Sequence, residues 1–96
     1  MSYYAVRDTA KAGNRPWRGA WIATRDRTEV NGVVVTVFGL SVGNLDVCDR
    51  FWSLETAQSL VMYLAVVKPE YIGRLAIHPV EWSTSGHKLL VGRQVE

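Results

Sequence analysis

The side chains best suited to acid–base chemistry in this 96-residue chain are two histidines, His78 and His87. Histidine titrates near neutrality, so such a pair could serve as general acid and general base. Arg74 or Arg93 could then stabilise charge on a phosphate, as a small nuclease requires. However, His78 precedes Pro79 in a strand pattern, and no acidic residue stands at a diagnostic spacing. We therefore expect no enzymatic activity and rank a small nuclease third among the functions considered.

Metal and cofactor chemistry has no motif in this chain. Asp46 and Asp49 flank Cys48, but strand alternation would send the two carboxylates to opposite faces. No spacing matches a zinc site, and a single cysteine excludes an intrachain disulfide. The glycines form no phosphate-cradling loop. We expect no metal and no cofactor, and the default location for such a chain is the cytosol.

The first third of the chain combines arginines with aromatic rings. Residues 1–30 hold six Lys/Arg against three Asp/Glu, although the net charge of the whole chain is only +2. Arginines for phosphates and rings for base stacking are used by proteins that bind single-stranded nucleic acid. That function is the alternative interpretation. The low net charge is too small for a strong nucleic-acid signature, and it argues against an acidic mimic of DNA.

The favoured function is a small non-enzymatic protein-binding module. Tryptophan and arginine dominate the energetics of protein interfaces. Arg15, Trp17 and Arg18 stand beside the loop predicted over 8–16 and would form an anchor cluster. Arg25 and Arg27 complete the candidate binding residues, and they are the positions whose loss should weaken nucleic-acid binding under the alternative.

These residues must be positioned by a meander predicted over about 17–51. Asn31-Gly32 between valines is a strong hairpin signal, and it pairs Val30 with Val33. A second turn at 43–44 would pair Val42 with Leu45. Extending both registers places one apolar row on a single face, and the row consists of Trp21, Val42 and Leu45.

The opposite face of this meander carries three valines in alternation. They need a cover, either from another part of the chain or from a second copy. A homodimer is therefore one expected assembly, and its interface would be Val33, Val35 and Val37.

One helix is predicted over about 53–67. Ser53 is the N-cap candidate, and Pro69 forbids continuation of the helix. The apolar stripe has helical spacing and should cover the meander face that contains Trp21, Leu40 and Val47. Its members are Ala57, Leu60, Val61, Leu64 and Ala65.

Further strands are predicted at both ends of the chain, over 2–7, 74–82 and 87–94. Pro79 cannot donate to a ladder, so the strand over 74–82 should lie at a sheet edge or break there. No apolar run approaches the roughly 20 residues of a membrane span. The sequence thus predicts a single α+β domain over 1–96, with a predominantly antiparallel sheet and one helix packed on one face.

The junction from strand to helix has a general resemblance to known proteins. Phe51, Trp52, Ser53, Leu54, Glu55 and Ala57 form an aromatic-Ser-x-Glu helix start. This plan, over 45–64, is similar to that of many small phage or mobile-element proteins, some of which inhibit host enzymes or defence complexes, including anti-CRISPR proteins. The resemblance implies an inhibitory docking function and transfers no functional residue.

Overall fold

The fold is known from a computed structural model, which describes residues 3–11, 13–15 and 17–95. Residue 2, with which the first predicted strand begins, lies outside these ranges. The described elements are β1 (Tyr3–Asp8), β2 (Trp21–Arg25), β3 (Thr28–Val30), β4 (Val33–Thr36), β5 (Gly39–Gly43), α1 (Leu54–Val67), β6 (Leu75–Trp82) and β7 (Leu89–Val91). The α+β fold, with an antiparallel sheet and a helix packed on it, is confirmed.

The main sheet has five antiparallel strands in the order β5-β2-β1-β6-β7, and β3 and β4 form a separate two-stranded sheet. The longest pairing joins β1 to β6, with Val6 opposite Ile77. Alternation along β1 sends Val6 to one face, where it packs with Ile77, and sends Ala5 to the other, where it packs with Trp21. The sheet therefore has an apolar core on each face.

The Asn31-Gly32 hairpin forms as the sequence predicts. Val30 pairs with Val33, and both turn residues have positive φ, at 50° and 77°. The register then shifts, because Glu29 pairs with Val34 but Thr28 pairs with Thr36. One residue of β4, Val35, is therefore extra, and this is the signature of a β-bulge.

The bulge overturns the predicted pairing of β2 with β5. Trp21 pairs with Gly43 instead of Val42, and Ile22 takes the place opposite Val42. A shift of one residue inverts every side chain along a strand. The helix consequently covers Ile22 and Leu40. Trp21, which we expected under the helix, is buried on the opposite face of the sheet.

The predicted turn at 43–44 and the strand after it are wrong. Asn44 has an extended backbone (φ −78°, ψ 162°), and a 3₁₀ turn follows over Leu45–Val47. Residues 49–51 then fill the space between β1 and β2. The Asp49 amide donates to Ile22 O at 3.2 Å, while Phe51 and Tyr4 exchange two backbone bonds of 2.8 Å. The chain therefore crosses the Trp21 face before it reaches the helix.

The helix begins and ends at the predicted residues. Ser53 Oγ accepts from the Thr56 amide at 3.2 Å, which caps the first turn. Leu60 and Leu64 are fully buried in the core on this face of the sheet. Each of the two contributes about 1.5–3 kcal/mol through burial of its side chain. Among the described residues, no helix is long and apolar enough to cross a membrane.

The three valines of the predicted dimer face do not share one environment. Val33 and Val35 are exposed on the hairpin, but Val34 between them is buried against α1. Val37 lies past the end of β4, where it packs against the helix-side core. A homodimer through this face stays a prediction.

Candidate binding groove

The face of the sheet that α1 leaves uncovered carries a second apolar core. Trp21 is its largest fully buried side chain, and the 3₁₀ turn contributes Leu45, with Cys48 directly after it. The Cys48 thiol donates to Leu45 O at 3.1 Å. Burial raises the pKa of this thiol to about 12, so it stays protonated at neutral pH and is a poor nucleophile.

A groove of about 860 Å³ opens beside this core. One wall is the loop with Arg15 and Arg18, and the other is the end of the β6–β7 hairpin. The apolar part of its lining comes from Leu45, Trp82, Leu89, Leu90 and Val91. This volume suits a few residues of a peptide or a short stretch of nucleotides.

The groove is basic because its cations are not neutralised. Arg15, Arg18 and Lys88 are exposed, and none forms an ion pair with a described residue. Asp46 is the single carboxylate among the described lining residues. Arg50 adds a further cation nearby, with its guanidinium carbon 5.8 Å from the centre of the Trp82 ring. An anionic ligand with an apolar part matches this lining.

Trp17 anchors the loop that carries the two groove arginines. Its ring packs edge-on against Trp21 at 6.1 Å, and the Arg7 guanidinium lies 4.1 Å from its centre. The Arg15 guanidinium also lies over this ring, at 5.3 Å. Trp17 is half-buried and in contact on several sides. It therefore positions the arginines, and its ring is not free to insert into a partner.

His78 lies beneath this cluster and is almost fully buried. Arg7 Nε donates to His78 Nε2 at 3.0 Å, which requires a neutral ring that donates from Nδ1 to Gly92 O, also at 3.0 Å. Burial is the main cause that lowers the pKa of His78, and the charges of Arg7 and Arg15 lower it further. His78 is therefore a neutral, structural side chain that links Arg7 to Gly92.

Pro79 explains the bond from His78 to Gly92. Gly92 N donates to Pro79 O at 2.8 Å, and an ordinary antiparallel pair would return a bond from residue 79 to Gly92 O. Proline has no N–H, so that carbonyl accepts from His78 instead. Strand β6 is consequently interior despite its proline, which corrects the predicted edge or break. His87, by contrast, is exposed and lines the groove.

Arg25 and Arg27 lie apart from the groove lining. The guanidinium of Arg27 bonds Asp49 and Glu29 and lies 4.5 Å from the centre of the Phe51 ring. Asp49 also accepts from the Thr24 amide and hydroxyl, so this arginine completes a structural cluster. Arg25 is exposed, and its side chain lies across Gly39.

Only one of the two walls of the groove is predicted from the sequence. Arg15 and Arg18 line it, but Trp82 and Lys88 stand more than sixty residues away in sequence. Pairing of the strands predicted over 74–82 and 87–94 would have placed Trp82 and Lys88 together. Nothing in the sequence shows that their hairpin faces the arginine loop.

Comparison with known proteins adds no further guide to function. The chain matches no protein-family model, no curated protein and no solved structure. Among the described residues, no group of three or more His, Cys, Asp or Glu is placed to hold a metal ion.

Proposed function

We propose that this protein is a non-enzymatic protein-binding module and that the basic groove is its docking site. The observation that carries the proposal is the juxtaposition of Arg15, Arg18 and Lys88, all without ion-pair partners among the described residues, around an apolar lining. Its partner would present carboxylates next to an apolar side chain. Inhibition of a larger enzyme or defence complex in the cytosol is one form that such docking could take.

Two features favour docking over catalysis. The ring nitrogens of His78 are both engaged in hydrogen bonds, and the Cys48 thiol is buried and protonated. Exposed arginines beside an apolar lining, by contrast, are typical of protein interfaces. Complementary charge speeds association with an acidic partner and suppresses binding of basic ones.

A charge-reversal pair tests this function. Arg18→Glu with Lys88→Glu should abolish binding of a fluorescent heptapeptide, Thr-Glu-Thr-Leu-Thr-Glu-Thr, measured by anisotropy. The control is Arg25→Glu with Lys68→Glu, which makes the same change in net charge outside the groove lining. Equal loss in both variants would show that overall charge, and not the groove, holds the peptide.

The second candidate is binding of single-stranded nucleic acid. The observation in its favour is Trp82, whose side chain is 48% exposed at the groove beside Arg50. An exposed indole flanked by cations could stack on a base. A labelled ten-residue oligo(dT) tests it: binding that weakens with salt and is lost in Trp82→Ala supports this candidate. Oligo(dT) that does not bind at low salt excludes it.

A further inference from the structure

Building on the proposed function, we infer that the partner segment binds as an extended strand along the outer edge of β7. It pairs its backbone with Leu89 and Val91, and it directs carboxylate and apolar side chains into the groove. The recognised chemistry is thus an acidic, extended peptide that adds a strand to the sheet.

Strand β7 lies at an edge of the main sheet. It is the last strand of the five-stranded sheet, with β6 on one side and no described strand on the other. The groove lining includes Leu89, Leu90 and Val91, so the groove borders this edge. A sheet edge presents backbone groups that another extended chain can pair with.

The backbone groups of β7 alternate in direction between β6 and the open edge. Ser83 N donates to Lys88 O, and Gly92 N donates to Pro79 O, both at 2.8 Å. These residues face each other in the same register as Glu81 and Leu90. Bonded pairs alternate along an antiparallel ladder, so Leu90 points its backbone groups at β6. Leu89 and Val91 must then point theirs to the open edge.

The side chains of β7 alternate between the two faces of the sheet. Leu89 and Val91 pack with Trp21 and Val80, so their side chains lie on the groove face of the sheet. In an added strand, alternate side chains face the same way as these two. An apolar residue there would contact Leu89 and Val91, and acidic residues two positions away would lie along the groove that Arg15, Arg18 and Lys88 line. The segment therefore alternates groove-facing Glu or Asp and Leu with outward polar residues.

Backbone pairing decides between the two anionic macromolecules that could bind at this edge. A peptide supplies both the backbone donors and acceptors that Leu89 and Val91 require and the carboxylates that the arginines attract. A nucleic acid supplies phosphates but cannot continue a β-ladder. The open backbone groups therefore favour the peptide, and oligonucleotide binding becomes one outcome of the test.

The test modifies the peptide backbone and leaves the protein untouched. Three peptides are titrated against the full chain: Thr-Glu-Thr-Leu-Thr-Glu-Thr, the same peptide N-methylated at its Thr residues, and the same peptide N-methylated at its Glu and Leu residues. Only one set of amides faces β7, so one methylated peptide should bind about tenfold or more weakly, while the other retains affinity. Amide hydrogen exchange at Leu89 and Val91 should slow when the unmethylated peptide binds.

The outcomes separate this inference from the proposed function. Equal affinity of all three peptides, with unchanged exchange at Leu89 and Val91, would overturn strand addition even if the Arg18→Glu/Lys88→Glu variant still loses binding. Binding of oligo(dT) in place of every peptide would overturn both proposals. Loss of the unmethylated peptide in that groove variant, together with the methylation difference, supports both.

Discussion

Replacing Arg74 should expose the cost of a buried carboxylate. Asp8 is 1% exposed and accepts from Arg74 Nε at 3.0 Å, from Arg74 Nη2 at 2.6 Å and from the Ala10 amide at 3.0 Å. The side-chain hydrogen bonds from Arg74 are the main cause that holds the pKa of Asp8 below its usual value. Arg74→Met removes two of these three donors and leaves the charge in place.

The expected loss of stability is about 3 kcal/mol. Removing one partner of a buried ion pair costs about 3–5 kcal/mol. The low end applies here, because the Arg74 side chain is 37% exposed and water can reach the site once it is truncated. For a chain of this size, such a loss lowers Tm by about 12–24 °C.

Urea unfolding at pH 7 measures this effect directly. The control is Arg18→Met, the same substitution at an exposed arginine with no ion pair among the described residues, and it should change stability by less than about 0.5 kcal/mol. Because the folded pKa of Asp8 is depressed, its stabilisation is present at neutral pH and disappears as the pH falls through and below about 3.8. The difference between Arg74→Met and the parent should therefore shrink in acid. A loss below about 1 kcal/mol at pH 7, or one that does not depend on pH, would show that Arg74 does not stabilise the Asp8 carboxylate.

Three further substitutions test single contacts. Because the folded pKa of His78 is lowered, the unfolded chain binds a proton that the folded chain does not, so stability should fall below about pH 6.5 by up to about 1.4 kcal/mol per pH unit. Urea unfolding between pH 7 and 5.5 should show a shallower slope for His78→Asn than for the parent, and an equal slope would contradict this prediction. Gly92→Ala should destabilise the fold by about 1–3 kcal/mol, because a Cβ there would lie 2.7 Å from the ring of Pro79. Thermal unfolding measures this loss, and an unchanged Tm would contradict the close approach of the two residues. Arg27→Met should lower the free energy of unfolding in urea by about 1–3 kcal/mol, because it leaves the Asp49 carboxylate short of a donor. Peptide binding in the groove should persist. A variant that keeps its stability but loses peptide binding would show that Arg27 is a binding residue and not a structural one.

Local signals in the sequence predict local structure well in this chain. Asn31-Gly32 gives the hairpin because both residues adopt positive φ at little cost. Ser53 and Pro69 mark the limits of the helix because a capping hydroxyl and a missing N–H act within one turn. Each of these effects depends on a few neighbouring residues.

The strand faces, the interior position of β6 and the groove are not predicted from the sequence, because they depend on one added residue and on contacts between distant residues. The bulge at Val35 leaves the hydrophobic pattern plausible, but it inverts the faces of β2 relative to β5. Pro79 suggests an edge strand, yet His78 supplies the missing bond and permits an interior one. Arg18 and Lys88 both line the groove although they are seventy positions apart in the sequence. They come together because of the order of the strands in the sheet.

An NMR titration locates the docking site on the molecule. The ¹⁵N-labelled chain is titrated with Thr-Glu-Thr-Leu-Thr-Glu-Thr, and the amide shifts are mapped onto the structure. We expect the largest shifts to cluster at the groove, at Arg15, Arg18, Lys88 and Leu89. Shifts centred on the exposed hairpin valines Val33 and Val35 instead, or no shifts at all, would show that the groove is not the docking site.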